Sequence, residues 1–171
     1  MIFLNLNLWK QGGWIYSFLF VVFLLTFGIT SRANTIDSLY HELEQVNKHG
    51  DRYGVVNIYL GIGEAYFEKE EYQKTIEVLT VALDLLKYKP ASIEKYKLYF
   101  NLAHAHQKLN DFEESLELFF KYIESDSVFI EIEKKSAAIS RIATIYQNLG
   151  DYQLAYDYQL KALQIQESMN D

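Results

Sequence analysis

The chain has 171 residues, enough for one domain together with a targeting segment. Half of the residues are apolar and 16% are aromatic, so a packed core is expected and general disorder is excluded. The formal net charge of −7 argues against a nucleic-acid partner, because binding to phosphates requires a basic face. The absence of cysteine excludes disulfides, thiolate zinc sites and cysteine nucleophiles.

The first 33 residues have the pattern of a targeting segment. Residues 14–29 are almost continuously apolar, Lys10 precedes them, and residues 31–33 read Ser-Arg-Ala, a small-x-small exit suited to signal peptidase. We interpret residues 1–33 as a secretory signal peptide or, alternatively, an uncleaved membrane anchor; a buried core helix is the third possibility. The first two interpretations predict an exported protein, periplasmic or membrane-anchored outside the cytoplasm, which meets the membrane only through this segment.

The rest of the chain repeats itself. Tyr72, Phe112 and Tyr152 each follow an acidic residue and stand 40 residues apart. Self-similarity at such a period is typical of stacked repeats, in which each unit buries its apolar face against the next. The pattern therefore predicts an elongated binding surface and indicates a protein that holds a partner.

Each unit carries two apolar stripes at helical spacing. In the first unit, one stripe includes Tyr59, Ile62 and Tyr66, and the second continues from Tyr72 to Ile76 after a polar turn. The same arrangement follows in the second and third units. We therefore predict an all-α fold made of antiparallel helix pairs.

The turns inside the second and third units contain residues that end and begin helices. Asn110 can adopt the left-handed conformation that ends a helix, and Gly150 does so without steric penalty. Asp111 and Asp151 are expected to cap the following helices, with Glu114 completing a capping-box pattern after Asp111.

Small residues also recur in register, which favours a close approach of the two helices in each pair. One aligned position holds Gly63, Ala103 and Ala143, and another holds Thr75, Ser115 and Ala155.

These units resemble the tetratricopeptide repeat. The third unit matches best, through Ala143, Tyr146, Gly150, Asp151, Tyr152, Ala155 and Ala162. The first unit matches through Tyr59, Ile62, Gly63, Tyr66, Tyr72 and Ala82. The second is looser, with His106 and Tyr122 in place of the usual tyrosine and alanine. The family pattern is 34 residues long, and the extra residues of this chain fall at 90–95 and 130–135.

The resemblance implies a right-handed superhelix of antiparallel helix pairs. It places a leading helix at 34–50 and the repeat region at 51–171, with repeats at about 56–89, 96–129 and 136–169. It also implies a non-catalytic scaffold that binds a protein or peptide.

In this family the first helix of each pair lines the concave groove. The matching positions here are candidate peptide-binding residues: Asn57, Leu60, Glu64, Phe67, Lys97, Phe100, Asn101, His104, Lys108, Ser140, Arg141, Thr144 and Gln147. The alternative is that they are ordinary solvated side chains. Asn101 and Arg141 also match a family variant that clamps a terminal carboxylate, but Glu64 would repel that group.

An export signal followed by such repeats is similar to the sensory N-terminal part of certain bacterial signalling proteins. The alternative function is therefore a sensory module of a longer protein, a histidine kinase or a transcriptional regulator, truncated at residue 171. Because no polar capping helix follows the third unit, the sequence also predicts self-association through the last helix.

No catalytic constellation is found. His104 and His106 are two positions apart, about 200° around a helix, so they cannot face one metal ion. We expect His106 in the core and His104 in the groove. The three glutamates between residues 68 and 71 are interpreted as solvated turn charges. No nucleophile motif or phosphate loop is present. We therefore predict no enzymatic activity, no cofactor and no metal.

Overall fold

The computed structural model describes residues 35–124 and 131–169. The chain divides into two compact units, Met1–Ser38 and Leu39–Asp171. Of the first unit only residues 35–38 are described, and they are helical. The predicted signal or anchor at 1–33 lies outside the described residues.

The described residues are helical apart from short turns and connections. The helices are α1 (35–48), α2 (Arg52–Glu68), α3 (Tyr72–Leu85), α4 (Ile93–Lys108), α5 (Phe112–Ile123), α6 (Ile132–Asn148) and α7 (Tyr152–Ser168). No strand occurs within 35–124 or 131–169, which confirms the predicted all-α class. None of the helices in these two ranges is long and apolar enough to cross a membrane.

The helices pair and the pairs stack. Helices α2 and α3, α4 and α5, and α6 and α7 pack against each other as three pairs. Neighbouring pairs then meet through α3 on α4 and α5 on α6, while α2 also contacts α4 directly. The first helices of the first two pairs thus lie side by side, as in an α-solenoid.

The turn inside each pair has the same backbone structure. Glu70, Asn110 and Gly150 have positive φ angles of 61°, 63° and 81°. In the middle turn, the N–H of Asn110 donates to the carbonyl of Gln107, and the next N–H donates to the carbonyl of His106. These are the two bonds of a Schellman motif, which satisfies the last carbonyls of the helix. The predicted left-handed residues are confirmed at Asn110 and Gly150, whereas Glu70 was not foreseen.

The two predicted aspartate caps differ. Asp151 accepts a hydrogen bond from the N–H of Leu154 at 3.1 Å, so the cap on α7 is confirmed. Asp111 makes no such bond on α5, and that prediction is wrong. Its Oδ2 instead lies 3.4 Å from Nδ1 of His106. The equivalent residue of the next repeat is Tyr146, whose ring offers no nitrogen to compete for the aspartate.

Two buried clusters form the core along the stack. The first includes Val56 and Leu60 of α2, Leu79 of α3, and Leu98 and Leu102 of α4. The second is built from α4, α5 and α6 and contains Ala103, Phe119, Tyr122, Ala138, Ile142 and Ile145. Since each cluster joins residues of two successive pairs, a single pair could not bury its own apolar face.

The aligned small residues bring the helices of a pair together. A Cβ atom added to Gly63 would lie only 2.7 Å from Cγ of the buried Leu79. The hydroxyl of Ser115 donates to the carbonyl of Ala103 at 2.7 Å, bridging α5 to α4. Thr75 makes the equivalent contact with Gly63 at 3.4 Å. The small side chains therefore allow both close packing and a hydrogen bond between the paired helices.

Candidate functional site

The candidate site lies on the surface formed by α2, α4 and α6, which we call the first-helix face. Six of the predicted residues are exposed: Asn57, Glu64, Lys97, Lys108, Thr144 and Gln147. Six others are half-buried: Phe67, Phe100, Asn101, His104, Ser140 and Arg141. Four of the half-buried residues, Phe67, Phe100, His104 and Arg141, make contacts that define the geometry of the site.

Leu60 does not belong to this surface. Its side chain is 5% exposed and packs in the first core cluster with Leu98 and Leu102. The close contact of α4 with α2 covers this position, so Leu60 stabilises the stack and is not accessible to a ligand. Its prediction as a groove residue is corrected.

An interacting row of side chains, here called the inner row, crosses the first-helix face. It consists of Phe67, His104, Phe100 and Arg141. The ring centroids of Phe67 and His104 are 4.4 Å apart, and those of His104 and Phe100 are 6.5 Å apart. Cζ of Arg141 lies 5.9 Å from the centroid of Phe100, within the range of a cation–π contact. The row therefore links α2, α4 and α6.

Phe100 also anchors the row to the core. Its ring lies 5.8 Å from Phe119 and 5.2 Å from Tyr122, measured between centroids, and both partners are buried. Aromatic pairs at such distances stabilise their arrangement. Phe100 thus holds the position of the face while exposing part of its ring.

Gln107, which was not among the predicted residues, fixes Arg141. The side-chain amide of Gln107 donates to the carbonyl of Arg141, and the guanidinium donates back to Oε1 of Gln107, each at 3.4 Å. Burial lowers the pKa of Arg141 below its usual value. The signal for Gln107 was its position three residues after His104, which places it on the same side of α4.

His104 is neutral near pH 7. Burial lowers its pKa to about 4, and the charges of Arg141 and Lys108 act in the same direction. Its ring nitrogens make no hydrogen bond to any residue that the structure describes. A neutral imidazole with free nitrogens can donate or accept a hydrogen bond from a ligand.

A cavity of about 250 Å³ opens beside His104, where α2, α3 and α4 meet. We call it the α2–α4 cavity. It is lined by Gly63, Glu64, Phe67, Glu68, Thr75, Asn101 and His104. Four of the predicted residues therefore come together here: Glu64, Phe67, Asn101 and His104. Glu68 and Thr75 were not predicted as site residues. Glu68 is exposed, as expected for a charge at a turn, and it also lines the cavity.

The remaining predicted positions do not join the inner row. Thr144 uses its hydroxyl to donate to the carbonyl of Ser140 on its own helix, at 3.1 Å. His106 is half-buried beside Asp111. Within the two described ranges, no group of three or more histidine, aspartate or glutamate side chains is placed to hold a metal ion.

Comparison with known proteins identifies the repeats. Residues 96–128 and 137–169 match the family model of the tetratricopeptide repeat. These segments coincide within one residue with the second and third predicted units. No curated protein sequence matches the chain.

Several solved structures share the fold. BtubC (BKLC) from P. vanneervenii has a TM-score of 0.70 at 15% identity, covering 79% of this chain and 56% of that chain. A putative kinesin light chain with TPR-like repeats from Podosopora anserina has a TM-score of 0.68 at 17% identity, covering 80% of this chain and 68% of that one. MamA has a TM-score of 0.56 at 17% identity, with 99% of both chains covered. The chain thus spans little more than half of BtubC, and these similarities concern the fold.

Proposed function

Because residues 96–128 and 137–169 of this chain are tetratricopeptide repeats, we propose that the protein is a non-catalytic scaffold that binds a protein or peptide segment through its first-helix face. Repeats of this family generally mediate interactions between proteins. The observation that carries the proposal is the inner row, a continuous set of aromatic and polar groups that crosses three helices.

The chemistry of the face suits a peptide. Phe67 and Phe100 offer partly exposed apolar surface, while the side chains of Asn101 and His104 make no hydrogen bond to the described residues. The α2–α4 cavity, at about 250 Å³, lies just below the usual range of small-molecule pockets, which begins at about 300 Å³. Its size fits the side chain of a bound segment.

The face is also preorganised. The two bonds between Gln107 and Arg141 fix the guanidinium, and the packing of Phe100 on Phe119 fixes the adjacent ring. Side chains that are already ordered lose little conformational entropy when a partner binds. This supports recognition by shape and a few anchors, without turnover.

A peptide selection tests this proposal. A random dodecapeptide phage library would be selected on the purified repeat protein, and fluorescence anisotropy would give the dissociation constant of the best peptide. We expect Asn101→Ala to weaken binding about fivefold or more, because it removes a free amide from the cavity. Gln73→Ala, at an exposed position of α3, is the matched control and should change nothing. Failure to select any peptide, or equal effects of both variants, would reject binding at this face.

We further propose that the protein works outside the cytoplasm, either released or anchored by residues 1–33. The support is the apolar run at 14–29 and the Ser-Arg-Ala exit at 31–33. Mass spectrometry of the protein from its own cells would show an N-terminus at Asn34 if the signal is cleaved. A protein that retains Met1 and fractionates with the cytosol would contradict the proposal.

The second candidate function is a sensory module of a longer signalling protein, favoured by the targeting segment in front of ligand-binding repeats. An immunoblot with antibodies to the repeats distinguishes the two. A band much larger than this sequence requires, together with a kinase or DNA-binding domain in the same chain, would favour the sensor. A band matching this sequence would favour the self-contained scaffold.

Finally, we propose that a second copy of the chain covers the outer side of α7. This helix exposes a stripe formed by Tyr152 at 71%, Tyr156 at 65%, Leu160 at 41% and Leu163 at 47%. The residues 40 positions earlier on α5 are half-buried against the second core cluster: Phe112, Leu116, Phe120 and Ile123. The exposed stripe of α7 therefore occupies positions that a neighbouring helix covers in the second pair. A helix from a second copy of the chain can cover them in the same way.

The oligomeric state tests this second contact. Light scattering after size exclusion should show a dimer that dissociates when Tyr156 is changed to aspartate, whereas the same change at the exposed Gln73 of α3 should have no effect. A monomeric wild-type protein at high concentration would contradict self-association and leave a further helix pair as the occupant of the stripe.

A further inference from the structure

Charge is unevenly distributed over the first-helix face. Glu64 and Glu68 lie one turn apart on α2 and both line the α2–α4 cavity. Neither forms an ion pair with any residue that the structure describes. The basic groups of the face, Lys97, Lys108 and Arg141, belong to α4 and α6 and do not line the cavity, although the charges of Arg141 and Lys108 act on His104. The charged side chains among the lining residues are therefore the two carboxylates of Glu64 and Glu68.

Two other cavity residues can accept hydrogen bonds, and a third offers an aromatic ring. The amide oxygen of Asn101 and a ring nitrogen of the neutral His104 can each accept a hydrogen bond, and both side chains lack partners among the described residues. Phe67 presents its ring to the same space. Carboxylates, free acceptors and an aromatic ring together are the groups that recognise a guanidinium or ammonium ion.

We infer that the α2–α4 cavity binds a cationic side chain, arginine or lysine, of the peptide held on the first-helix face. This inference rests on the proposed peptide-binding function and names the chemistry of its anchor. A carboxylate in the same place would be repelled by Glu64 and Glu68. An apolar side chain would bury the acceptors of Asn101 and His104 without partners, which is unfavourable.

A double-mutant cycle tests the inference. The probe is the highest-affinity dodecapeptide from the phage selection, synthesised with each arginine replaced in turn by citrulline, or each lysine by norleucine. One such replacement should weaken binding to the wild-type protein about tenfold. The same replacement should change binding to the Glu64→Gln/Glu68→Gln variant less than about twofold, since the charge partners are then absent.

The control variant is Glu77→Gln, an exposed glutamate of α3 that lies outside the cavity and outside the described ion pairs. It should retain the full tenfold effect. Thermal unfolding of all variants should match the wild-type protein, because Glu64, Glu68 and Glu77 are exposed.

The results separate this inference from the general proposal. Selected peptides that bind at the first-helix face without a basic residue, or an unchanged effect of citrulline in the double variant, would overturn the cationic anchor and leave the binding function intact. If no peptide is selected, the binding function fails, and NMR titration with butylguanidinium decides the anchor alone. Shifts at His104 and Phe67 that the neutral butylurea does not reproduce would support a cation site, and equal shifts would overturn it.

Discussion

The rings of Phe67 of α2 and His104 of α4 pack against each other at a tilt of 41° with their centroids 4.4 Å apart, and this contact joins two successive helix pairs across the first-helix face. Neither helix pair alone contains both rings. The site therefore exists only because the repeats stack, and its geometry depends on the packing that positions α4 against α2. Changes to that packing should affect stability and binding together.

The half-buried His104 gives the stability a measurable pH dependence. The pKa of His104 falls from 6.5 to about 4 on folding, through burial and then the charges of Arg141 and Lys108. Between these pH values the unfolded chain binds a proton that the folded chain does not, so the free energy of unfolding falls as the pH falls. Because solvent reaches part of the ring, we expect a contribution of about 1–2 kcal/mol.

His104→Phe isolates this effect, since it keeps a ring against Phe67 and removes the titration. Urea unfolding at pH 7 and pH 4 would be compared for both proteins. Between pH 7 and pH 4 the free energy of unfolding should fall by about 1–2 kcal/mol more in the wild-type protein than in the variant. An equal loss in both proteins would contradict the assignment.

The turn residue Glu70 is the first candidate for stabilisation. Its φ of 61° is left-handed, which is unfavourable for a residue with a Cβ atom. Glu70→Gly should raise the free energy of unfolding by about 1 kcal/mol. Asn110→Gly should raise the free energy of unfolding by less, because asparagine tolerates this conformation. Gly150→Ala should lower it by about 1 kcal/mol. Chemical denaturation measures all three, and a loss at Glu70→Gly would refute the interpretation.

Two glycines of the same helix should respond in opposite directions to alanine. At Gly63 the new Cβ would overlap the buried side chain of Leu79, so Gly63→Ala should lower the free energy of unfolding by about 1–3 kcal/mol. A Cβ atom added at Gly61 would lie 3.6 Å from Cδ1 of Leu39, which is an ordinary van der Waals contact. Gly61→Ala should therefore raise the free energy of unfolding by up to about 1 kcal/mol, because alanine has the higher helix propensity. Thermal unfolding of the two variants tests this, and effects of the same sign would contradict it.

The hydroxyl that Thr75 and Ser115 supply in the first two helix pairs is replaced by a methyl group at Ala155 in the third. Ser115→Ala removes the bond to the carbonyl of Ala103 and should lower the free energy of unfolding by about 1 kcal/mol. Ala155→Ser restores a hydroxyl on α7, for which the register predicts the carbonyl of Ala143 as acceptor, and should raise the free energy of unfolding by about 0.5–1 kcal/mol. Chemical denaturation would reveal both changes. No loss at Ser115→Ala would show that the bond is not stabilising.

The fold could be predicted from the sequence because its signals are local and repeated. The 40-residue spacing of Tyr72, Phe112 and Tyr152 defines the helix pairs, and Asn110 and Gly150 mark their turns. Three in-register copies compensate for the weakness of each single match. The same regularity hid the exception at Glu70, whose left-handed conformation is imposed by the repeat and not by its side chain.

The site was only partly predictable, because its contacts run between repeats. Aligning first helices found Phe67 and His104, but their ring contact depends on the distance between α2 and α4. The same alignment placed Leu60 in the groove, since it carries no information on which side of α2 the next pair covers. It missed Gln107 because its role depends on Arg141, which is 34 residues away in the next repeat.

Amide chemical-shift mapping of the selected dodecapeptide on the isotope-labelled protein tests whether the partner binds at the first-helix face. We expect the largest shifts along this face, at and around Phe67, Asn101, His104 and Arg141. Shifts confined to α3, α5 or α7 would show that the partner binds elsewhere and would rule out the first-helix face as the binding site.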